Sequence, residues 1–280
     1  MSKRKASEYQ SGVKPIWCPG CGDYAVLNAL RQAFAELEIP PHEIAVASGI
    51  GCSSRFPAFL NTYGFHGVHG RPLPLATGMK VGNPALTVVA VGGDGDGFSI
   101  GGGHIPHAAR RNIELPYIVM DNNIYGMTKG QPSPTTPRGT QRKASPYGSL
   151  EDPLNPIMMA LAYGTTFVAR AFSGQPKELA AIIKAALLHP GFAFVQVLSP
   201  CVTFRNTYQH YREITQPLPE DFDRTDLMAA MRLAQETETL YRGIFRQDES
   251  KLGYVQRVRE MRAQVKPLAG VDEVVEQYAR

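Results

Sequence analysis

Five short apolar runs constrain this chain more than any other feature. They are "EIAVAS" (43–48), "TVVAVGG" (87–93), "PYIVMD" (116–121), "TFVARA" (166–171) and "FAFVQVLS" (192–199). Each is nearly continuous in apolar character rather than alternating, which is the pattern of strands buried on both faces. Helical spacing fills the gaps between them. Val26, Leu30, Phe34 and Leu37 recur over 23–37, with Asp23 placed to cap the start. Further helices are expected through 104–111, over 155–164 where Gly164 stops the turn, and over 176–189 behind Pro176. Strand alternating with helix predicts an α/β fold, a mostly parallel sheet with helices on both faces.

Charged residues make up 19% of the 280 positions, below the roughly 25% of an average soluble protein. That deficit predicts surface hidden in a large core or against partner subunits. The net charge of +4 is mild and the basic residues are scattered, so no nucleic-acid partner is expected. No apolar run reaches the length of a membrane span, and the first residues lack a signal peptide's hydrophobic core. The expectation is a cytoplasmic chain with no membrane partner. Two regions depart from the strand–helix rhythm. The proline- and glycine-rich stretch 128–148 reads as a long loop of the kind that forms lids or partner contacts. Beyond about residue 215 the composition turns polar, with one amphipathic helix expected over 226–245. The chain is therefore divided into a core domain, 1–215, and a largely helical extension, 216–280.

"VGGDGDGFSIGGG" (91–103) follows a strand and precedes a helix, which places it at the carboxyl edge where parallel sheets bind ligands. Glycines admit close approach of backbone to a phosphate, and a helix start offers free N–H groups. The dinucleotide pattern G-x-G-x-x-G, with an acid about 20 residues on, is not met. Asp94 and Asp96 suggest instead a hard cation bridging to phosphate oxygens. At the end of the next strand "DNNIYG" (121–126) brings Asn122 and Asn123 as carboxamide ligands. A second constellation is "WCPGCG" (17–22), whose Cys18 and Cys21 join Cys52 and Cys201 as the chain's four cysteines. The pair fits half a zinc site, a thiol–disulfide switch or half an iron–sulfur cradle. In a reducing compartment metal ligands or free thiols are favoured over disulfides.

The stretch from Gly93-Asp94-Gly95 to Asn122-Asn123 resembles the thiamine diphosphate signature. With "GIGCSSR", "YGFHGVHGRPLPLATG", "GGDGDGFSIGGGHIPHAARRNI" and "DNNIYGMTKGQPSPT", residues 10–215 closely resemble the β subunit of the 2-oxoacid:ferredoxin oxidoreductases. The 2-oxoglutarate branch, also called 2-oxoglutarate synthase, is the nearest. The resemblance implies a PP-type thiamine diphosphate-binding fold, with 1–215 as the catalytic domain. It further implies a [4Fe–4S] cluster on Cys18, Cys21, Cys52 and Cys201, since zinc has no redox chemistry to offer. Mg²⁺ would be held by Asp94, Asn122 and the Ile124 backbone carbonyl. Gly95, Asp96, Gly126 and Met127 would meet the diphosphate, with Ile50, Gly51, Cys52, Ser53 and His69 beside the cofactor. His66, His104 and His107 are as readily structural. Lys129 would face the distal carboxylate of the substrate.

The activity implied is oxidative decarboxylation of 2-oxoglutarate with coenzyme A to succinyl-CoA and CO₂, with electrons leaving through the cluster to ferredoxin. The reaction is reversible in the family and can fix CO₂. The family's α subunit supplies the glutamate that thiamine's pyrimidine requires, so an α2β2 heterotetramer is expected and the isolated chain is half a site. Rival readings are the same chemistry on pyruvate or on 2-oxoacids broadly, a thiamine-dependent decarboxylase or synthase without electron transfer, and a zinc-stabilised binding subunit.

Overall fold

The five apolar runs become inner strands of one sheet. The computed structural model describes residues 3–264 and 270–279. Its strands are β1 (Ile44–Ser48), β2 (Tyr63–His66), β3 (Thr87–Gly93), β4 (Leu115–Asp121), β5 (Ile124–Tyr125), β6 (Gln131–Pro132), β7 (Phe167–Phe172), β8 (Phe192–Leu198), β9 (Thr215–Pro217) and β10 (Leu240–Gln247). The helices are α1 (Asp23–Glu36), α2 (Phe56–Phe59), α3 (Pro72–Gly82), α4 (Asp94–Phe98), α5 (Ile105–Arg111), α6 (Pro156–Ala162), α7 (Pro176–Leu188), α8 (Tyr208–Ile214), α9 (Leu227–Gln235), α10 (Tyr254–Gln264) and α11 (Val271–Tyr278).

Eight strands lie in the order β2-β1-β3-β4-β8-β7-β10-β9. The run from β2 to β7 is parallel, β10 is antiparallel to β7, and β9 is parallel to β10. Every residue of β1, β4, β7 and β8 is buried, because helices cover both faces. Successive side chains on a strand point to opposite faces. Val89 and Val91 accordingly enter the core beneath α1 and α7, while Val88 and Ala90 enter the core beneath α3, α5, α6 and α9. Burying a Val or Leu side chain in such a core contributes on the order of 2 kcal/mol.

Two expectations are corrected, and two elements were not anticipated. Asp23 begins α1 but does not cap it; its buried carboxylate accepts from Ser199 Oγ at 2.8 Å. The helix expected over 226–245 stops at Gln235, and the residues from Leu240 form β10. Tyr241, Ile244 and Phe245 fit a half-buried pleated surface better than a helix, and the strand hydrogen-bonds along β7. The exposed edge strand β2 and the proline- and glycine-containing α3 carry no apolar rhythm that reading by period detects.

The connections reverse direction between β1 and β3. The chain leaves β1 toward β2 on one side and leaves β3 toward β4 on the other. Loops after such a pair diverge and open a crevice at the carboxyl edge. The loops after β1, β3, β4 and β8 all leave from this edge, and they carry Cys52, Asp94, Asn122 and Cys201 respectively. Among the described residues no helix is long and apolar enough to cross a membrane.

Candidate functional site

A cavity of about 310 Å³ opens at the crevice. It is walled by residues 50–53 after β1, by 93–96 where β3 passes into α4, by His69, and by 122 and 124–128 after β4. Asp94, Asn122, Ile124, Gly95, Asp96, Gly126, Met127, Ile50, Gly51, Cys52, Ser53 and His69 therefore stand together as expected. Lys129 is exposed and follows Thr128, the last wall residue, with its backbone at φ +79°. His66, His104 and His107 lie outside the cavity.

Glycine at wall position 95 and at position 49 beside the wall is a matter of room. A Cβ on Gly95 would fall 2.4 Å from the Tyr125 ring, and one on Gly49 would fall 1.9 Å from Asp96 Oδ2. Asp96 needs that space because its carboxylate ties the crevice together. Oδ1 accepts from Ile50 N at 2.8 Å, from Gly70 N at 2.7 Å and from His69 Nδ1 at 2.9 Å. The His69 contact puts the ring proton of the neutral form on Nδ1 and leaves Nε2 an acceptor. With Oδ1 so engaged, the part of Asp96 suited to meet an anion is its backbone N–H rather than its side chain.

Asp94 is 1% exposed. Its Oδ2 accepts from Ser133 Oγ and from Thr135 Oγ1 at 2.9 Å, while Oδ1 lies 3.5 Å from Asn122 N. Thr135 Oγ1 also lies 2.8 Å from Oδ1 of the equally buried Asp121. Burial first, and the Asp121 charge second, push the Asp94 carboxyl well above the ordinary carboxylate range. Asp121 is raised by burial too, but Gln196 Nε2 donates to it at 2.7 Å and leads on to the buried Arg170 guanidinium. Asp94 has no such cation. A divalent ion on its Oδ1 side would offset both the desolvation and the like charge, so these residues fit Mg²⁺. Asn122 Oδ1 accepts from Ile124 N at 3.1 Å, which fixes the turn that presents the Ile124 carbonyl.

Asn123 is no ligand. Its side chain is buried, donates to Asp121 Oδ1 and Thr135 Oγ1, and accepts from Tyr211 OH at 2.7 Å. Sequence reading gave no role to Asp121, Ser133, Thr135 or Tyr211; Tyr211 reaches Asn123 from 88 residues further along the chain. The left-handed backbone of Asn123, φ +58°, is the one local signal, since asparagine tolerates that conformation better than most residues.

The four cysteines are free thiols on three loops that are bound to one another. Trp17 Nε1 donates to the Cys52 carbonyl at 2.7 Å, and Gly22 N donates to the Pro200 carbonyl at 3.2 Å. Trp17 itself packs against Tyr24, Phe56 and Phe59. A Cβ placed on Gly126 would lie 3.8 Å from Cys201 Sγ and 4.0 Å from Cys52 Sγ, so both sulfurs border one point beside the cavity. Among the described residues no three His, Cys, Asp or Glu side chains already close around a metal position. Burial raises the Cys21 thiol strongly and pushes Cys52 up to about 11. Thiols held neutral by burial are poor redox nucleophiles, which argues against a thiol–disulfide switch. Four soft sulfur donors suit an iron–sulfur cluster or zinc.

Residues 46–197 match the family model described as the C-terminal TPP-binding domain of thiamine pyrophosphate enzymes. Residues 201–263 match the C-terminal region of the pyruvate ferredoxin oxidoreductase beta subunit. The chain is 45% identical over 223 residues to subunit beta of 2-oxoacid:ferredoxin oxidoreductase 1 from Aeropyrum pernix, covering 79% of this chain and 70% of that one. It is 45% identical over 204 residues to the 2-oxoglutarate synthase subunit KorB of Methanocaldococcus jannaschii, 73% of this chain and 76% of the relative. Among solved structures it is similar to the 2-oxoglutarate:ferredoxin oxidoreductase of Magnetococcus marinus, solved with 2-oxoglutarate, coenzyme A and succinyl-CoA bound. There the TM-score is 0.96 and the identity 44%, over 100% of this chain and 97% of that one.

Proposed function

The chain belongs to the β subunits of the 2-oxoacid:ferredoxin oxidoreductases, and from that premise we propose that it forms the thiamine- and cluster-bearing half of an enzyme acting on 2-oxoglutarate. In this reading 2-oxoglutarate and coenzyme A become succinyl-CoA and CO₂, with ferredoxin reduced, and the α subunit completes the site in an α2β2 assembly. One observation carries the proposal. Cys52 both walls the cavity and, with Cys201, borders one point at Gly126, so two of the four cysteines stand at the cavity's edge.

Bound thiamine diphosphate would supply the carbon nucleophile and electron sink for a 2-oxoacid, and the cluster a one-electron exit. The chain's own residues do the positioning. Asp94, Asn122 and the Ile124 carbonyl hold Mg²⁺, with Ser133 and Thr135 fixing which oxygen of Asp94 is turned to it. Backbone N–H groups of Gly95, Asp96, Gly126 and Met127 meet the diphosphate. Asp96 draws the 50–53 loop and His69 against it. Cys18, Cys21, Cys52 and Cys201 hold the cluster. Lys129 presents an ammonium to the second carboxylate of 2-oxoglutarate, and its left-handed backbone supports that role because strain of about 1 kcal/mol or more concentrates at functional positions.

The test is anaerobic purification with the α partner, followed by iron, sulfide and zinc analysis and by ferredoxin reduction with 2-oxoglutarate, pyruvate and 2-oxobutyrate. About four irons and four sulfides per β chain are expected, with 2-oxoglutarate the best substrate. Zinc without iron removes the electron route, and equal kcat/KM on pyruvate removes the substrate assignment. Lys129→Leu should raise KM for 2-oxoglutarate far more than for 2-oxobutyrate; equal effects refute the role given to Lys129.

A further inference from the structure

Asp96 is a carboxylate short of a cation. It is 3% exposed, and its Oδ2 is buried without a hydrogen-bond partner while Oδ1 holds Ile50 N, Gly70 N and His69 Nδ1. Among the described residues His69 is the one basic side chain within ion-pair distance of it, at 2.9 Å. A buried carboxylate is costly unless a cation offsets it. The His69 side chain is 42% exposed and lines the cavity, and its Nε2 has no hydrogen-bond partner among the described residues.

The ring geometry decides where that free nitrogen faces. The two nitrogens sit on opposite flanks of the imidazole, so a ring bonded to the wall through Nδ1 turns Nε2 away from Asp96. The ring centroid of His69 lies 6.3 Å from that of Tyr125, whose hydroxyl donates to the Gly95 carbonyl at 3.2 Å. His69 therefore stands beside the Gly95–Asp96 turn. A neutral imidazole held this way presents a lone pair to the cavity, which repels an anion. The imidazolium presents an N–H and a positive charge, and such charge-assisted bonds are about twice as strong as neutral ones.

On the thiamine function proposed for this cavity, we infer that His69 meets the diphosphate as its imidazolium. Nε2 takes a proton from solvent as the cofactor enters, and the ring then stands charged between two anions, Asp96 behind it and the diphosphate in front. Asp96 acts as a positioning residue, because its hold on Nδ1–H leaves Nε2 as the nitrogen that gains the proton. The other charged or titratable groups around the ring have different tasks. Arg71 Nη1 is directed at the His69, Gly70 and Ile100 carbonyls, at 3.3 to 3.5 Å. Asp94 and Cys52 line the same cavity, and the Tyr125 hydroxyl is engaged by Gly95. Of all these, only the imidazole gains positive charge by taking a proton near neutral pH. Cofactor affinity through His69 thus falls as pH rises, the opposite sense to a carboxylate that must lose its proton to meet a cation.

The test titrates thiamine diphosphate, at saturating Mg²⁺, into the assembled α–β enzyme stripped of cofactor. Calorimetry at about pH 8 in two buffers of different ionisation enthalpy counts the protons exchanged. The unsubstituted enzyme should take up about one proton per site more than His69→Asn, whose amide keeps the bond to Asp96 and puts nothing in place of Nε2. The Kd of that variant should rise about tenfold to a hundredfold. His69→Gln reaches the place of Nε2 with a neutral N–H, and should recover part of the affinity and none of the uptake. Both substitutions fall at a half-exposed position and open no core. Equal uptake in all three proteins overturns the inference. Uptake that appears only when 2-oxoglutarate is added to loaded enzyme also overturns it, and moves His69 to the substrate. Failure of thiamine diphosphate to bind the unsubstituted enzyme removes the cofactor assignment and the inference together, whereas binding with no difference in uptake removes the inference alone.

Discussion

Gly49→Ala is the sharpest probe of how the crevice is built. The residue is not left-handed, so alanine brings no backbone strain, and the cost lies in one contact. Its Cβ would overlap Asp96 Oδ2 at 1.9 Å, which only departure of the carboxylate relieves. That departure strips an acceptor from Ile50 N, Gly70 N and His69. Two backbone donors left unmet in a buried setting cost about 1–3 kcal/mol each, or about 2–6 kcal/mol together. For a domain of this size that corresponds to a melting temperature lower by roughly 5 to 20 °C. Differential scanning fluorimetry reads it, with Gly102→Ala as the control because no atom lies within 4 Å of a Cβ there. The loop released is the one that carries Cys52, so iron content should fall in parallel with stability. If Gly49→Ala melts within a degree of Gly102→Ala and keeps its iron, Asp96 is not the tie described above.

Other outcomes follow from the same geometry. Thr135→Val removes a hydroxyl shared by Asp94 and Asp121 and should weaken Mn²⁺ binding, followed by electron paramagnetic resonance, about tenfold to a hundredfold, with Thr135→Ser recovering most of it; equal affinity in Val and Ser variants contradicts the orienting role. Because the Asp94 carboxyl is raised, protons compete with the cation, and Mg²⁺ affinity in the apoprotein should fall as pH drops from 8 to 6. A flat calorimetric profile over that range would show that Asp94 is already ionised. Far from the site, burial pushes His189 down to about 4 against an ordinary value near 6.5, and its Nε2 pairs with Thr166 Oγ1 at 2.7 Å. The unfolded chain therefore binds a proton that the folded one refuses between those values. Stability present above pH 6.5 is lost as pH falls toward 4, by up to about 3 kcal/mol. His189→Gln should flatten that part of the melting profile, and an unchanged slope refutes the assignment.

What the residues disclosed in advance, and what they hid, divides along physical lines. Asp94, Asn122 and the glycines around them were legible because a parallel sheet puts its binding edge at strand ends, and strand ends can be read from apolar runs. The cysteines were legible as a set, though not as to what they bind. Asn123 was misread as a ligand because adjacency in sequence says nothing about which way a left-handed residue turns its side chain. Ser133 and Thr135 sit in a loop legible only as irregular; its return beneath Asp94 is settled by packing that no local pattern encodes. β10 was taken for helix because the apolar spacing of α9 runs on into a strand whose partner, β7, is some seventy positions earlier in the chain.

The tie between Trp17 and Cys52, with that between Gly22 and Pro200, bears on how the enzyme is made. A zinc finger gathers its ligands only as the metal arrives, so metal loss and unfolding are one event. Here the three cysteine-bearing loops are joined by hydrogen bonds and aromatic packing that involve no sulfur. The loop-closure entropy is already spent when the polypeptide finishes folding. If the four cysteines hold the proposed cluster, a cluster donor would meet loops already tied together, with Cys18 the exposed thiol among them. Folding and maturation become separable steps, and a chain stripped of iron should wait, folded, to be refilled.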